Sequence, residues 1–467
     1  MSALMARVMT LTAPLGLPRG WAAAAVAAGL VAGVFYTASP LTVWALAAMG
    51  VLVWAATHDL PGEEGRRVRT LLLVAFALRV AAVLALFATS PHDDQAAGVL
   101  FGDEAYALGR AWRARALRIG LPLSASDYVV AFDDYGRSSY ITLITFLQWL
   151  FGPSPYALRL LNADLFFAAA IVLFRQTRRA FGSTAALGGL GVMLFLPTLF
   201  VWSISLLKES LYLALTAVVF GAVVESLRAP DWRRRIGWGA AAALTVWALR
   251  DLREGAVALA VASVVVGVGL WLATRTMRTA VVAAAIVAVC VTLAFMRDPA
   301  RIAVLGGLNE AAKAQAGHVY TVGHSYKLLD DHFYRGPTAM GEVSLTPAEA
   351  SRFVIRAVVS FLVVPLPWGV ESRRELVYVP EQLTWYVLLA LAIVGLAESF
   401  RRDRLTASQL VATAIPIAIA VALTTGNVGT LIRHRTLIVP YVACISAVGA
   451  SVVARRLMAP GSQAEVR

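Results

Sequence analysis

Long apolar stretches alternate along this chain with short polar segments rich in arginine. A helix rises 1.5 Å per residue, so about twenty apolar residues cross a hydrocarbon layer. The pattern therefore predicts about twelve membrane spans, at 20–37, 41–57, 70–89, 157–174, 184–202, 209–225, 236–250, 255–273, 279–296, 382–400, 407–425 and 436–454. The first two are short and separated only by Thr37-Ala38-Ser39-Pro40, which suits a hairpin or a partly interfacial pair. The fold class this implies is an all-α polytopic membrane protein with two long segments, 90–156 and 297–381, outside the bundle. From Tyr140 to Phe151 the chain is apolar but only about 18 Å long as a helix, too short to span, and is expected to lie in the interface.

The connections fall into two kinds. Arg66, Arg67 and Arg69 follow the second span; Arg175, Arg178 and Arg179 the fourth; Arg228 and Arg233 to Arg235 the sixth. Arg275 and Arg278 follow the eighth, Arg401, Arg402 and Arg404 the tenth, and Arg455 and Arg456 the twelfth. Short basic loops at every second connection mark the cytoplasmic side and put both termini there, as expected for a bacterial inner-membrane protein. The opposite face receives the long segments with most of the histidines and acids and Lys208, Lys313 and Lys327, so the external face is the expected seat of chemistry.

Composition supports the membrane reading: 59% of the 467 residues are apolar and 15% charged, with a mean hydropathy of +0.72. A net charge of +13 would ordinarily raise nucleic-acid binding. Here the basic clusters are dispersed among membrane loops without an aromatic-basic platform, so the charge reads as topology and no nucleic-acid partner is expected. Cys290 and Cys444 sit inside apolar spans and read as packed free thiols. The start of the chain lacks the form of a cleavable signal peptide. No phosphate-binding loop motif occurs, so an energy source other than P-loop ATP is expected.

Candidate chemistry begins after the third span, with Ser90-Pro91-His92-Asp93-Asp94 and then Gly102-Asp103-Glu104-Ala105-Tyr106. A helix continuing to about Arg118 would set Asp103, Tyr106 and Arg110 on one side. A carboxylate there suits a general base toward an acceptor hydroxyl or amine; acids in a first turn also suit capping alone. A second acidic pair, Asp133-Asp134, precedes Tyr140. His92, Asp93 and Asp94, with Asp103 and Glu104, have the donors a divalent cation would need, although ordinary loops use the same residues.

Basic groups gather at the same boundary. Lys208-Glu209 abuts apolar stretches and follows Trp202, an expected interfacial anchor. Arg250-Asp251-Leu252-Arg253-Glu254 is either a self-contained ion network or a phosphate site built on Arg250 or Arg253. Arg433 and Arg435, in Gly426 to Arg435, have no acid near them in sequence, so an anion is expected close by. Arg159 is expected either to snorkel or to support the site, and Arg79 is the costliest arginine by position.

Gly102-Asp103-Glu104-Ala105-Tyr106, the run Tyr140 through Phe151-Gly152-Pro153-Ser154-Pro155 to Leu160, Arg178-Arg179-Ala180-Phe181-Gly182, and Leu196-Pro197 through Trp202-Ser203 together resemble the polyprenyl-phosphate-sugar-dependent membrane glycosyltransferases. That superfamily includes protein mannosyltransferases and the lipid A aminoarabinose transferase. The likeness covers roughly 70–225, with looser matches at Pro365-Leu366-Pro367-Trp368 and Gly426 to Arg435.

The resemblance implies a GT-C-like bundle and a sugar transferred from a polyprenyl-phosphate carrier to a periplasmic glycan, lipid or protein acceptor. It places Asp103 at the transfer centre with Glu104 as neighbour or substitute; from the residue reading, Asp133, Asp134, Tyr106 and Arg159 are expected as acceptor-side or supporting groups. Lys208, Arg250, Arg253, Arg433 and Arg435 are the expected donor-phosphate contacts. The implied organisation is a two-span extension at 1–69, a transferase module at 70–296, an external segment at 297–381 and a three-span region at 382–467. Two departures stand out: the two extra early spans, and no large soluble domain after the last span, which leaves 297–381 to cover the acceptor. A lipid-linked polysaccharide polymerase or ligase would use the same groups. A flippase for a lipid-linked anion would instead call for charges at the membrane midplane.

Overall fold

The computed structural model describes residues 39–90, 98–133, 138–321, 323–334, 343–366 and 378–458, with isolated positions between 20 and 31. Among the described residues the ordered structure is helical: α1 (Pro40–Thr57), α2 (Gly62–Thr89), α3 (Gly102–Arg118), α4 (Ala125–Phe132), α5 (Ser139–Phe151), α6 (Pro155–Phe181), α7 (Ser183–Phe195), α8 (Pro197–Ile204) and α9 (Glu209–Arg228). There follow α10 (Trp232–Ala248), α11 (Ala256–Ala273), α12 (Met277–Phe295), α13 (Asp298–Val319), α14 (Pro347–Val363), α15 (Val379–Arg402), α16 (Arg404–Thr424), α17 (Val428–Arg435) and α18 (Val439–Met458).

Eight of these helices are each long and apolar enough to cross a membrane. The chain is a multi-pass, all-helical membrane protein. Four of the twelve expected spans are not among these eight described helices. Span 184–202 is a broken pair, α7 and α8, bent by 60°, because Pro197 removes a backbone donor and cannot continue the preceding helix. Span 236–250 falls on α10, whose 17 residues open on Trp232 and three arginines. Span 279–296 falls on α12, which supplies the shorter apolar run Arg278–Cys290, and span 20–37 lies almost wholly outside the described residues.

The chain divides into two compact units, the first built from residues 1–55, 76–164 and 204–207. In it α5 buries Tyr140, Ile144, Thr145 and Gln148 and exposes Phe146, Trp149 and Leu150. That one-sided pattern suits a helix lying in an interface. Arg115 of α3 donates from Nε to the Gln148 carbonyl at 2.8 Å. α4 is capped by Ser124, which accepts from the Asp127 N–H, and is tied to α3 by Arg113 and Asp127 at 2.6 Å. That hydrogen bond holds the Asp127 carboxyl below the usual carboxylate range.

The second unit comprises residues 56–75, 165–203 and 208–467. Its α15 and α18 meet backbone to backbone: a Cβ at Gly395 would lie 2.0 Å from the Ile445 carbonyl oxygen, and one at Gly449 1.9 Å from that of Leu391. Small residues permit such approach where apolar burial between helices gives little drive in lipid. The arginine-rich connections converge at one end of these helices, where Arg178 pairs with Glu64 at 2.7 Å, Arg179 with Glu225 at 2.7 Å, Arg175 with Asp59 and Arg228 with Asp403. This convergence matches the alternation of basic loops in the sequence. In the segment before α14, Asp330 takes Arg352 and Arg356 at 2.7 Å each, and these bonds hold its carboxyl low.

Candidate functional site

The first unit places adjacent acids in opposite environments. The first turn of α3 begins after an extended Phe101, and acids there favour its unpaired N–H groups and dipole. Asp103 is exposed. Glu104, one residue on and about 100° around the helix, has no solvent exposure. Its Oε1 accepts from Arg159 Nη1 at 3.0 Å and the Leu206 N–H at 2.6 Å. Its Oε2 accepts from Arg159 Nη2 at 3.0 Å and the Leu100 N–H at 2.7 Å. A buried ion pair is favourable only when its geometry is good and its remaining sites are filled; both carboxylate oxygens are filled here, while Arg159 Nε has no hydrogen-bond partner among the described residues.

Arg159 therefore does not snorkel: it is completely buried near the start of α6. It also donates to the Ile204 carbonyl at 2.9 Å and the Gly98 carbonyl at 2.6 Å. One turn along α6, Asn162 Nδ2 reaches Tyr140 Oη at 2.8 Å, the Leu207 carbonyl at 3.2 Å and the Ser205 carbonyl. These groups satisfy the non-helical backbone between α8 and α9, which lipid could not do. Asn162 was not among the predicted site residues, although a lone amide three positions after an arginine in an apolar run was a usable signal.

Tyr106 and Arg110 come together as their spacing suggested, with Arg110 Nη1 donating to Tyr106 Oη at 3.2 Å. Arg110 is buried and also binds the carbonyls of Ala131, at 3.3 Å, and Asp133. The described contact of Arg110 with Asp133 is thus to backbone rather than carboxylate. Asp134, His92, Asp93 and Asp94 lie outside the described residues. Among the described residues no group of three or more potential metal ligands gathers, and all four bonds to Glu104 come from N–H donors.

In the second unit, Lys208 sits half-buried at the N-terminal boundary of α9, next to Glu209, the first residue of that helix. Arg433 of α17 brings Nε and Nη2 to Glu209 Oε1, each at 2.8 Å. Its guanidinium carbon lies 5.3 Å from the centre of the Trp202 ring. The anion expected near Arg433 is therefore Glu209, distant in sequence. Glu209 Oε2 is buried and has no hydrogen-bond partner among the described residues.

Arg253 Nη2 lies 3.0 Å from His434 Nε2. Burial, reinforced by Arg253 and Arg433, drives the His434 pKa well below its usual value. Arg250 is exposed, with Asp251 at 3.9 Å. The Arg250 to Glu254 run is thus not a self-contained network: Arg253 turns to His434 while Arg250 faces outward. The described hydrogen bonds of Arg435 go to neutral acceptors. The side chain is buried, binds Gln382 Oε1 at 2.7 Å and the carbonyls of Val364, at 2.6 Å, and Phe361, and lies 5.3 Å from the ring centres of both Phe361 and Trp385. Its Nε has no hydrogen-bond partner among the described residues.

Apolar spans and these two polar clusters define an all-helical integral membrane protein. No family model matches the chain, and no curated protein sequence matches it. Among solved structures it is similar to ArnT from Cupriavidus metallidurans bound to undecaprenyl phosphate, with 18% identity and a TM-score of 0.43 over 81% of this chain and 60% of that one. The chain thus spans about 60% of that protein's length.

Proposed function

We propose that the protein is a bacterial inner-membrane glycosyltransferase that moves a sugar from a polyprenyl-phosphate carrier to a periplasmic glycan, lipid or protein acceptor. The observation that carries this reading is the exposed Asp103 carboxylate beside Glu104, whose own carboxylate is fully engaged by N–H donors. One acid lies on the exposed side of the helix while its neighbour fixes the helix that presents it. The motif resemblance around residues 102–106 supplies the reaction class.

Asp103 accepts the proton of the acceptor hydroxyl as the acceptor oxygen bonds to the anomeric carbon. The bond from that carbon to the phosphate oxygen breaks, and polyprenyl phosphate leaves with the electron pair. A single displacement inverts the anomeric centre. Arg433, with Lys208 and Arg253, offsets the charge developing on the leaving phosphate. Glu104 and Arg159 are positioning residues, because their bonds fix the backbone on either side of Asp103 and the turn leading to Lys208.

A strain lacking the gene should accumulate the lipid-linked sugar in its membranes, and purified protein should transfer that sugar with inversion. Retention of the anomeric configuration would refute the single displacement. Movement of carrier lipid across vesicles without any transfer would refute the enzyme.

A further inference from the structure

Two arginines of the basic cluster in the second unit are held by different chemistry. Arg433 brings two nitrogens to the Glu209 carboxylate, each at 2.8 Å, so its charge is matched. Arg253, half-buried, has one described hydrogen bond, from Nη2 to His434 Nε2 at 3.0 Å. Among the described residues no carboxylate forms an ion pair with it, and Glu209 acts on it only from farther away. Arg433 and His434 are neighbours on α17, so one short helix gives an arginine to an acid and an acceptor to an arginine.

The roles at the second bond are fixed by chemistry. A guanidinium only donates, so His434 Nε2 accepts and the ring is neutral with its proton on Nδ1. Nδ1 is buried and has no hydrogen-bond partner among the described residues, so the ring holds Arg253 although its own N–H goes without a partner. Burial, with Arg253, Arg433, His318 and Lys208 around it, disfavours the protonation that would break this bond.

Arg253 also lines a cavity of about 580 Å³, beside the buried Tyr212 and the apolar Leu259, Ile417 and Leu437. The other charges on that cavity, Glu254, Glu310 and Lys313, are exposed, where salt and solvent screen them. A carboxylate in place of His434 would fix Arg253 equally well but cancel its charge. An imidazole fixes the guanidinium and leaves the charge for a ligand.

We infer that His434 is a positioning residue for the carrier phosphate, fixing Arg253 through a neutral acceptor so that the arginine's charge stays available. The inference rests on the proposed assignment of Lys208, Arg253 and Arg433 to that phosphate.

The test is binding of undecaprenyl phosphate, with undecaprenol as the uncharged control, to the purified full-length protein in detergent, read by native mass spectrometry beside the melting temperature. His434→Leu should weaken undecaprenyl phosphate about tenfold and leave undecaprenol unchanged. His434→Gln, whose amide oxygen can replace Nε2, should stay within about threefold of the parent. His434→Glu should lose at least about tenfold although it offers Arg253 a stronger bond. In an Arg253→Ala background, His434→Leu should cost less than about twofold more, because the ring acts through that arginine. Parent-like affinity in His434→Glu, an undiminished effect of His434→Leu without Arg253, or a loss in His434→Gln at an unchanged melting temperature would each overturn the inference. If His434→Leu does not fold, the Gln and Glu variants decide the matter. Equal binding of undecaprenol and undecaprenyl phosphate by the parent protein would instead remove the phosphate assignment itself, and this inference with it.

Discussion

The molecule contains two carboxylate–arginine pairs at breaks between helices, and they are built to opposite specifications. Glu104 and Arg159 are both fully buried, and each oxygen of Glu104 accepts two N–H groups. Glu209 uses one oxygen for both nitrogens of Arg433 and leaves the other unbonded, while Arg433 keeps 16% of its side chain exposed against Trp202. A carboxylate with both oxygens filled works as a rivet. A carboxylate with an unfilled oxygen can exchange partners, which the proposed role of Arg433 toward a phosphate would require.

Substitutions can break this contrast. The largest stability effect is expected for Glu104→Gln: the new amide nitrogen must face N–H donors at either oxygen position, so loss of about 3–5 kcal/mol should appear in thermal unfolding. Next, Arg433→Ala should raise the donor KM about tenfold to a hundredfold, the worth of one charge-assisted bond, with acceptor KM unchanged. Glu209→Gln should cost less than about 1.5 kcal/mol, because its nitrogen takes the unbonded position. It should also lower the donor KM, because Arg433 loses its competing anion. If Glu209→Gln destabilises as strongly as Glu104→Gln, the distinction between the pairs fails.

The smallest effect is pH dependence. The folded pKa of His434 lies below its unfolded value, so the neutral form is favoured in the fold. Its contribution to stability is fully present above the unfolded pKa of about 6.5 and declines as pH falls toward the folded value. A melting-temperature profile from pH 8 to 5 should therefore slope downward on acidification, in about the range where an unperturbed histidine titrates, and His434→Gln should flatten it.

Much of this was legible in the sequence because membranes impose strong local rules. Eleven of the apolar runs coincide with helices or a bent helix pair, and the arginines of alternate loops gather at one end of the second unit. The acidic first turn of α3 was also visible. What was not visible is which acid of an adjacent pair is buried, because that depends on partners about fifty and a hundred residues away, Arg159 and Leu206. The surroundings of Arg435 were hidden for a related reason: carbonyl and amide acceptors leave no charge pattern in the sequence, yet they bind a guanidinium.

Asp103 carries the central claim. The decisive measurement is the transfer rate of purified Asp103→Asn with saturating lipid-linked donor, taken beside its melting temperature. A general base here predicts a rate lower by about two to four orders of magnitude with the melting temperature unchanged. A rate close to that of the parent protein would contradict the claim and move the base elsewhere.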